Sequence, residues 1–225
     1  RLLGDWTNDT LDFRGVSFVG GSFLIDGAGG ADRLIGTAGG ERIDGGSGDD
    51  LLVDGAGHDS LTGGDGKDLL LGSAGGPGGT EIYIGGAGQD RIALAHSDGS
   101  SLEIRGGTAS GADATGDWIT LVGSRGGLSF VASVLDFERG KDRIDLSQLR
   151  DAGNAVLGMD DLVIGLVNGH TTVSFASGVH TLANGGVNVT LTLVGVSAVA
   201  ATDFSFSAPV LPTGLPALDT ALSYL

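Results

Sequence analysis

Two runs decide the fold: GGSGDDLLV from Gly45 to Val53 and GGDGKDLLL from Gly63 to Leu71. In each, glycines fill the first, second and fourth places, an acid the sixth and an apolar residue the eighth. Working outward, apolar residues recur every nine positions at Val16, Ile25, Leu34, Ile43, Leu52, Leu61 and Leu70. Two places before five of them stands an acid, at Asp32, Glu41, Asp50, Asp59 and Asp68, and two before each acid a glycine, at Gly30, Gly39, Gly48, Gly57 and Gly66. After a slip around Gly72 to Gly75 the phase resumes with GGAGQDRIA from Gly85. Three features sharing one period and one phase mark a repeat architecture.

Nine residues make one tight turn and one short strand, so two repeats complete a coil and equivalent turns stack every 18 residues. Alternate repeats then share a side. One side carries Asp32, Asp50, Asp68 and, past the slip, Asp90; the other carries Glu41 and Asp59. Beyond Asp59 two registers stay open, one placing Glu81 in the acid's position, the other burying Ile82 and Ile84 and leaving Thr80 there. Consecutive glycines allow positive φ in the turns and leave backbone carbonyls unshielded, and the sixth-place acid adds a carboxylate. Such hard oxygen donors suit calcium, which takes six to eight oxygens in flexible geometry, better than magnesium with its strict octahedron. The candidate ligands are Asp32, Asp50, Asp59, Asp68, Asp90 and Glu41, together with turn residues Gly30, Gly45, Gly48, Gly63 and Gly66. Three inter-turn positions on the first side and two on the second set the expectation at roughly three to five calcium ions. Glu41 carries a methylene more than aspartate, which makes its row the weaker one.

The pattern resembles the RTX nonapeptide repeat, GGxGxDxUx, a calcium-binding parallel β-helix. The resemblance implies an all-β protein, a parallel β-roll followed by a β-rich C-terminal cap or secretion segment. Degenerate echoes lie outside the best repeats: Asp9 to Phe13, Gly116 to Leu121, and VLDFERGKDRIDLSQL from Val134 to Leu149. The last is similar to the sequence that follows the repeats in RTX proteins, including the serralysin type of C-terminal region. Gly140, Asp142 and Ile144 hold its fourth, sixth and eighth places, and Asp142 is read either as a further calcium ligand or, with Asp145, as a solvated turn acid. The expected organisation is a degenerate coil over 1–26, the calcium-binding roll over 27–93, degenerate repeats and a β cap over 94–150, a β-rich secretion-type segment over 151–208 and a proline-containing tail over 209–225.

Composition supports and limits this reading. The 225 residues include 44 glycines and no cysteine, which excludes a disulfide scaffold or a zinc-thiolate protein. Twelve Lys and Arg against 28 Asp and Glu give a net charge of −16, unfavourable for binding nucleic acid and self-repelling without cations. The apolar run from Val187 to Ala201 alternates with polar residues and is too short and polar to span a bilayer. From Asp151 onward there is no Lys or Arg, and the alternating strands there resemble the base-poor C-terminus by which RTX proteins engage a type I secretion apparatus, Asp203-Phe204-Ser205-Phe206 standing for the late Asp-Phe element. Pro209, Pro212 and Pro216 mark a loop or tail. The opening Arg1, with no signal-peptide pattern after it, suggests a piece of something longer.

No HExxH helix, GxSxG elbow or GxxxxGK[ST] loop is present, and His58, His96, His170 and His180 read as scattered solvated histidines, so no enzyme is expected in this chain. The expected function is a calcium-binding module that folds outside the bacterial cell, at its surface or in the medium. The alternatives are a calcium-stabilised module of a surface-layer, filament or adhesin protein, or the non-catalytic tail of an exported protease, lipase or polysaccharide epimerase. One surface is also legible. With the eighth residue inward, Leu51, Val53, Leu69 and Leu71 point outward on one sheet and form an apolar patch. That patch is expected to pack against strands from residues 94 to 208 or, failing those, a second copy or partner such as an upstream domain. The sheet carrying Arg42 and Ser60 is expected to face water.

Overall fold

The computed structural model describes residues 1–18, 23–73, 79–122, 127–181 and 186–207; the proposed tail over 209–225 lies outside them. Among these residues, regular structure is strand apart from two short 3-10 turns. Successive strands alternate between two parallel sheets. One contains Phe23–Asp26, Glu41–Ser47, Ser60–Asp65, Thr80–Ala87, Ser100–Arg105 and Leu128–Val134; the other contains Thr10–Asp12, Arg33–Ile35, Leu51–Val53, Leu69–Gly72, Arg91–Leu94, Trp118–Leu121 and Arg143–Asp145. Each strand therefore pairs with strands one coil away, and a turn of the nonapeptide joins the two sheets. The architecture is a parallel β-roll.

The interior is two facing stacks. On the first sheet Ile25, Ile43, Leu61, Tyr83, Ile104, Val134 and Leu193 lie in register. On the second run Leu11, Leu34, Leu52, Leu70, Ile92, Ile119, Ile144 and Phe204. Most are fully buried, each stabilising the fold by about 1.5–3 kcal/mol relative to exposure. The nine-residue spacing produces this stack because the eighth residue of each repeat points inward and the turn between strands restores the phase. Val16 breaks the expectation: it is 40% exposed, and Leu11 takes the interior place in that coil. After the slip, Tyr83 fills the interior position, so the register that puts Glu81 in the acid's place is the one adopted.

Past Asp145 the chain leaves the roll and returns to it. Leu162–Val167 and His170–Phe175 form an antiparallel hairpin whose Asn168-Gly169 turn has φ of 52° and 82°, the positive pair that a type I′ turn requires. Val187–Leu193 then pairs parallel with Leu128–Val134 and antiparallel with His170–Phe175, and Phe204–Ser205 extends the second sheet beside Arg143–Asp145.

The outer faces differ. Ile35, Leu51, Val53, Leu69, Leu71, Ala93 and Val122 form an apolar cluster of their own, separate from the interior, with Leu51 5% exposed and Leu71 fully buried. Leu51, Val53, Leu69 and Leu71 thus keep the expected outward direction and are covered, with Val122 and Ala95 from the downstream part of the chain packed into the same cluster. At its far end Arg91 donates to Thr120 Oγ1 at 2.8 Å and pairs with Asp145 at 2.9 Å, so Asp145 is a buried ion-pair partner and is not solvated. On the other sheet Arg42 is exposed and Ser60 and Thr62 half-buried, a solvent-facing surface.

Candidate metal centre

The acids of the first side form one continuous row through Asp9, Asp32, Asp50, Asp68, Asp90, Asp117 and Asp142. The backbone N–H of each donates to the Oδ1 of the next, at 2.7 Å for Asp9 to Asp32 and Asp32 to Asp50, 2.9 Å to Asp68, 2.8 Å to Asp90, 2.9 Å to Asp117 and 3.0 Å to Asp142. On the second side the N–H of Glu41 donates to Asp59 Oδ1 at 2.6 Å. One carboxylate oxygen is thereby committed to the scaffold. The other is not: Oδ2 of Asp32, Asp50, Asp59, Asp68 and Asp90 is buried without a hydrogen-bond partner. A buried acceptor left unmade costs on the order of 1–3 kcal/mol, so five such atoms at equivalent positions mark a place for a ligand.

The glycines explain how the turns close around these atoms. Gly48 and Gly66, at the fourth place, have φ of 125° and 144°, as Gly30 has 110°, which side chains rarely permit. Gly45 and Gly63, at the first place, are needed for space, since a Cβ at Gly45 would strike Asp50 Oδ2 and the Gly63 carbonyl, and one at Gly63 would strike Asp68 Oδ2 and the Gly85 carbonyl. The unpartnered carboxylate oxygen and a carbonyl from the next coil thus flank the same glycine.

Electrostatics point the same way. Burial pushes the carboxyl of Asp50 up to about 7, Asp68 to about 8, and Asp59 and Asp90 to about 9, with neighbouring acids adding to the effect. Asp32 is raised by burial as well, and Asp117 reaches about 7. A row of desolvated acids holds protons tightly because burial disfavours the charged form and neighbouring acids repel it; a divalent cation would reverse that. The donor set is oxygen only, which fits calcium.

Two expected ligands are placed differently. Glu41 is buried, but Thr37 occupies its carboxylate, the Thr37 hydroxyl donating to Oε1 at 2.7 Å and the Thr37 N–H to Oε2 at 3.0 Å. Its extra methylene turns the carboxylate back onto its own turn. Asp142 is buried too, with Oδ1 taken by the Asp117 N–H and Oδ2 by the Glu138 N–H at 2.6 Å, so it caps a turn and is not a solvated acid. Asp9 and Asp117 belong to the row although the glycine signal around them is weak; the acid two places before Leu11 and Ile119 was the available clue. His96 corrects the histidine reading, being fully buried, while His58 is exposed and His170 and His180 are half-buried.

A family model described as the RTX calcium-binding nonapeptide repeat matches twice, over residues 24–52 and 44–77. The chain carries RTX calcium-binding repeats. The matched RTX segment holds Asp32, Asp50, Asp59, Asp68 and the glycine turns between them. RTX repeats of this kind are a calcium-binding module and not a catalytic one. Among solved structures, the chain is similar to the AlgE6R3 subunit of the Azotobacter vinelandii mannuronan C5-epimerase, with 23% identity over 88% of each chain and a TM-score of 0.35. No curated protein matches the chain. Among the described residues no helix is long and apolar enough to cross a membrane.

Proposed function

We propose that the chain is an RTX module whose roll is completed by three to five calcium ions held between stacked turns, and that it serves a protein exported from a bacterial cell. The observation that carries this is the set of five buried, unpartnered Oδ2 atoms at Asp32, Asp50, Asp59, Asp68 and Asp90. Asp32, Asp50, Asp68 and Asp90 supply the first row, with carbonyls of the turns containing Gly30, Gly45, Gly48, Gly63 and Gly66; Asp59 supplies the second, Glu41 contributing less. When bound, calcium supplies the positive charge that these carboxylates lack and ties each coil to the next. In a cytosol poor in calcium the acidic coils stay open, and outside the cell binding energy becomes folding energy.

The base-free segment from Asp151, with the buried Asp203 and Phe204 within it, supports a type I secretion role for the C-terminal part. Circular dichroism of the full chain in excess chelator, with metal loss verified, tests the central claim. Loss of most strand signal, recovered by calcium and poorly by magnesium, supports it; an unchanged spectrum overturns it.

A further inference from the structure

The second acid row ends abruptly at Glu81. Its Oε2 receives the Tyr83 hydroxyl at 2.5 Å, and its Oε1 is buried with no partner. The same hydroxyl lies 2.8 Å from Asp54 Oδ2 and 3.0 Å from His96 Nε2, while His96 Nε2 and Glu81 Oε2 are 3.5 Å apart. One phenolic proton therefore faces three acceptors, all fully or almost fully buried. Asp54 follows the strand Leu51–Val53, Glu81 and Tyr83 sit in Thr80–Ala87, and His96 follows Arg91–Leu94, so only the closed roll brings the group together.

We infer that Asp54, Glu81 and His96, with the Tyr83 hydroxyl, form a second metal site that takes one zinc-class divalent cation and is chemically separate from the calcium rows. Four considerations support it. The ligand atoms of Asp54, Glu81 and His96 lie within 4.8 Å of one another, and the 3.5 Å separation of Glu81 and His96 suits two ligands bound at about 2.0–2.2 Å in a tetrahedral arrangement. An imidazole nitrogen among the donors disfavours calcium and favours zinc and its neighbours. Glu81 Oε1 is buried without a partner, and the donors that reach Asp54 and Glu81 are Gly55, Ser73 and Tyr83, with no Lys or Arg among them. Two carboxylates and one dication balance.

The surroundings orient the ligands. Ser100 Oγ meets His96 Nδ1 at 3.1 Å, and Asp54 accepts the N–H of Ser73 at 2.8 Å, the Ser73 hydroxyl at 3.0 Å and the N–H of Gly55 at 2.7 Å. Such outer contacts fix metal ligands in place. Gly72 keeps the space open, since a Cβ there would strike the Tyr83 hydroxyl and His96 Nε2.

Cobalt(II) is the probe, added to the calcium-saturated full chain and followed by visible ligand-field absorption. The expected result is a band saturating at one equivalent, bleached by one equivalent of zinc, lost in His96→Gln and in Asp54→Asn, and kept when His58, His170 and His180 are all replaced by Gln. No band in the parent chain, a band that survives His96→Gln, or one lost in the triple variant overturns the assignment. If His96→Gln does not fold by circular dichroism, imidazole 15N spectra of the unaltered chain decide. A shift of His96 Nε2 with one equivalent of zinc supports the site, and an unmoved resonance overturns it.

Discussion

Without calcium, the roll should fold in mild acid and open as the pH rises. Asp50, Asp68, Asp90 and Asp59 hold protons in the folded coil up to about 7, 8, 9 and 9, against an ordinary aspartate value of 3.8. A carboxyl whose folded value is raised adds stability that is complete below its unfolded value and disappears as the pH climbs through the folded one. The relevant window therefore runs from about pH 4 to about pH 9. Between pH 5 and pH 7.5, Asp68 and Asp90 each forfeit about 3 kcal/mol, taking about 1.36 kcal/mol for each pH unit. Together that is about 6 kcal/mol, comparable with the 5–15 kcal/mol that holds a typical domain together. The assay is circular dichroism on chelator-treated protein titrated upward from pH 5.2, one unit above the sequence pI of about 4.2. Strand signal should be present at the acid end and lost by pH 7.5, and calcium at pH 7.5 should restore it. Asp68→Asn supplies the cross-check: its neutral amide should move the metal-free midpoint upward in pH while weakening calcium binding. A metal-free chain equally folded at pH 5.2 and pH 8, or one that folds only on alkalinisation, would refute the reasoning.

Three further outcomes follow from the same geometry. Asp50→Ala should raise the calcium concentration needed for folding more than Glu41→Ala, because Asp50 Oδ2 is unpartnered whereas Thr37 occupies both oxygens of Glu41; calcium titrations of the two variants rank them. Gly63→Ala should destabilise the calcium-loaded roll by about 2 kcal/mol or more in denaturant melts, since its Cβ meets the Gly85 carbonyl and Asp68 Oδ2 and overpacking typically costs about 1–3 kcal/mol. Leu52→Ala should cost about 2–5 kcal/mol in the same melts through loss of an interior contact, whereas Arg42→Ala on the wet face should change stability by less than about 0.5 kcal/mol.

The roll was legible because its constraints are local. A period of nine fixes which residue turns inward, and Leu34, Leu52 and Leu70 stack in register as that period requires. The acid row was legible for the same reason wherever the spacing stayed at 18. It faded where insertions lengthened the coil: 22 residues separate Asp68 from Asp90 and 27 separate Asp90 from Asp117, so Asp117 looked like an echo although its N–H and carboxylate continue the ladder. Glu41 shows a different limit, since only the coordinates reveal that one methylene lets the carboxylate fold back onto Thr37. The Asp54, Tyr83, Glu81 and His96 cluster had no sequence signature, because its members meet through the closure of two coils and share no motif.

The ladder has a direction, and that makes its two ends unequal. Each side-chain link runs from the N–H of an upstream acid to the carboxylate of the next one downstream, while the main-chain bond beside it runs the other way, from the Leu51 and Leu69 N–H back to the Asp32 and Asp50 carbonyls. Removing a coil from the upstream end leaves behind a carboxylate, which water can solvate once its end of the stack is open. Removing one from the downstream end instead leaves a neutral amide hydrogen open to water. The two ends of the stack accordingly differ in charge, the upstream one presenting an anion and the downstream one a neutral donor. A single repeated hydrogen bond thus gives this solenoid two chemically different ends.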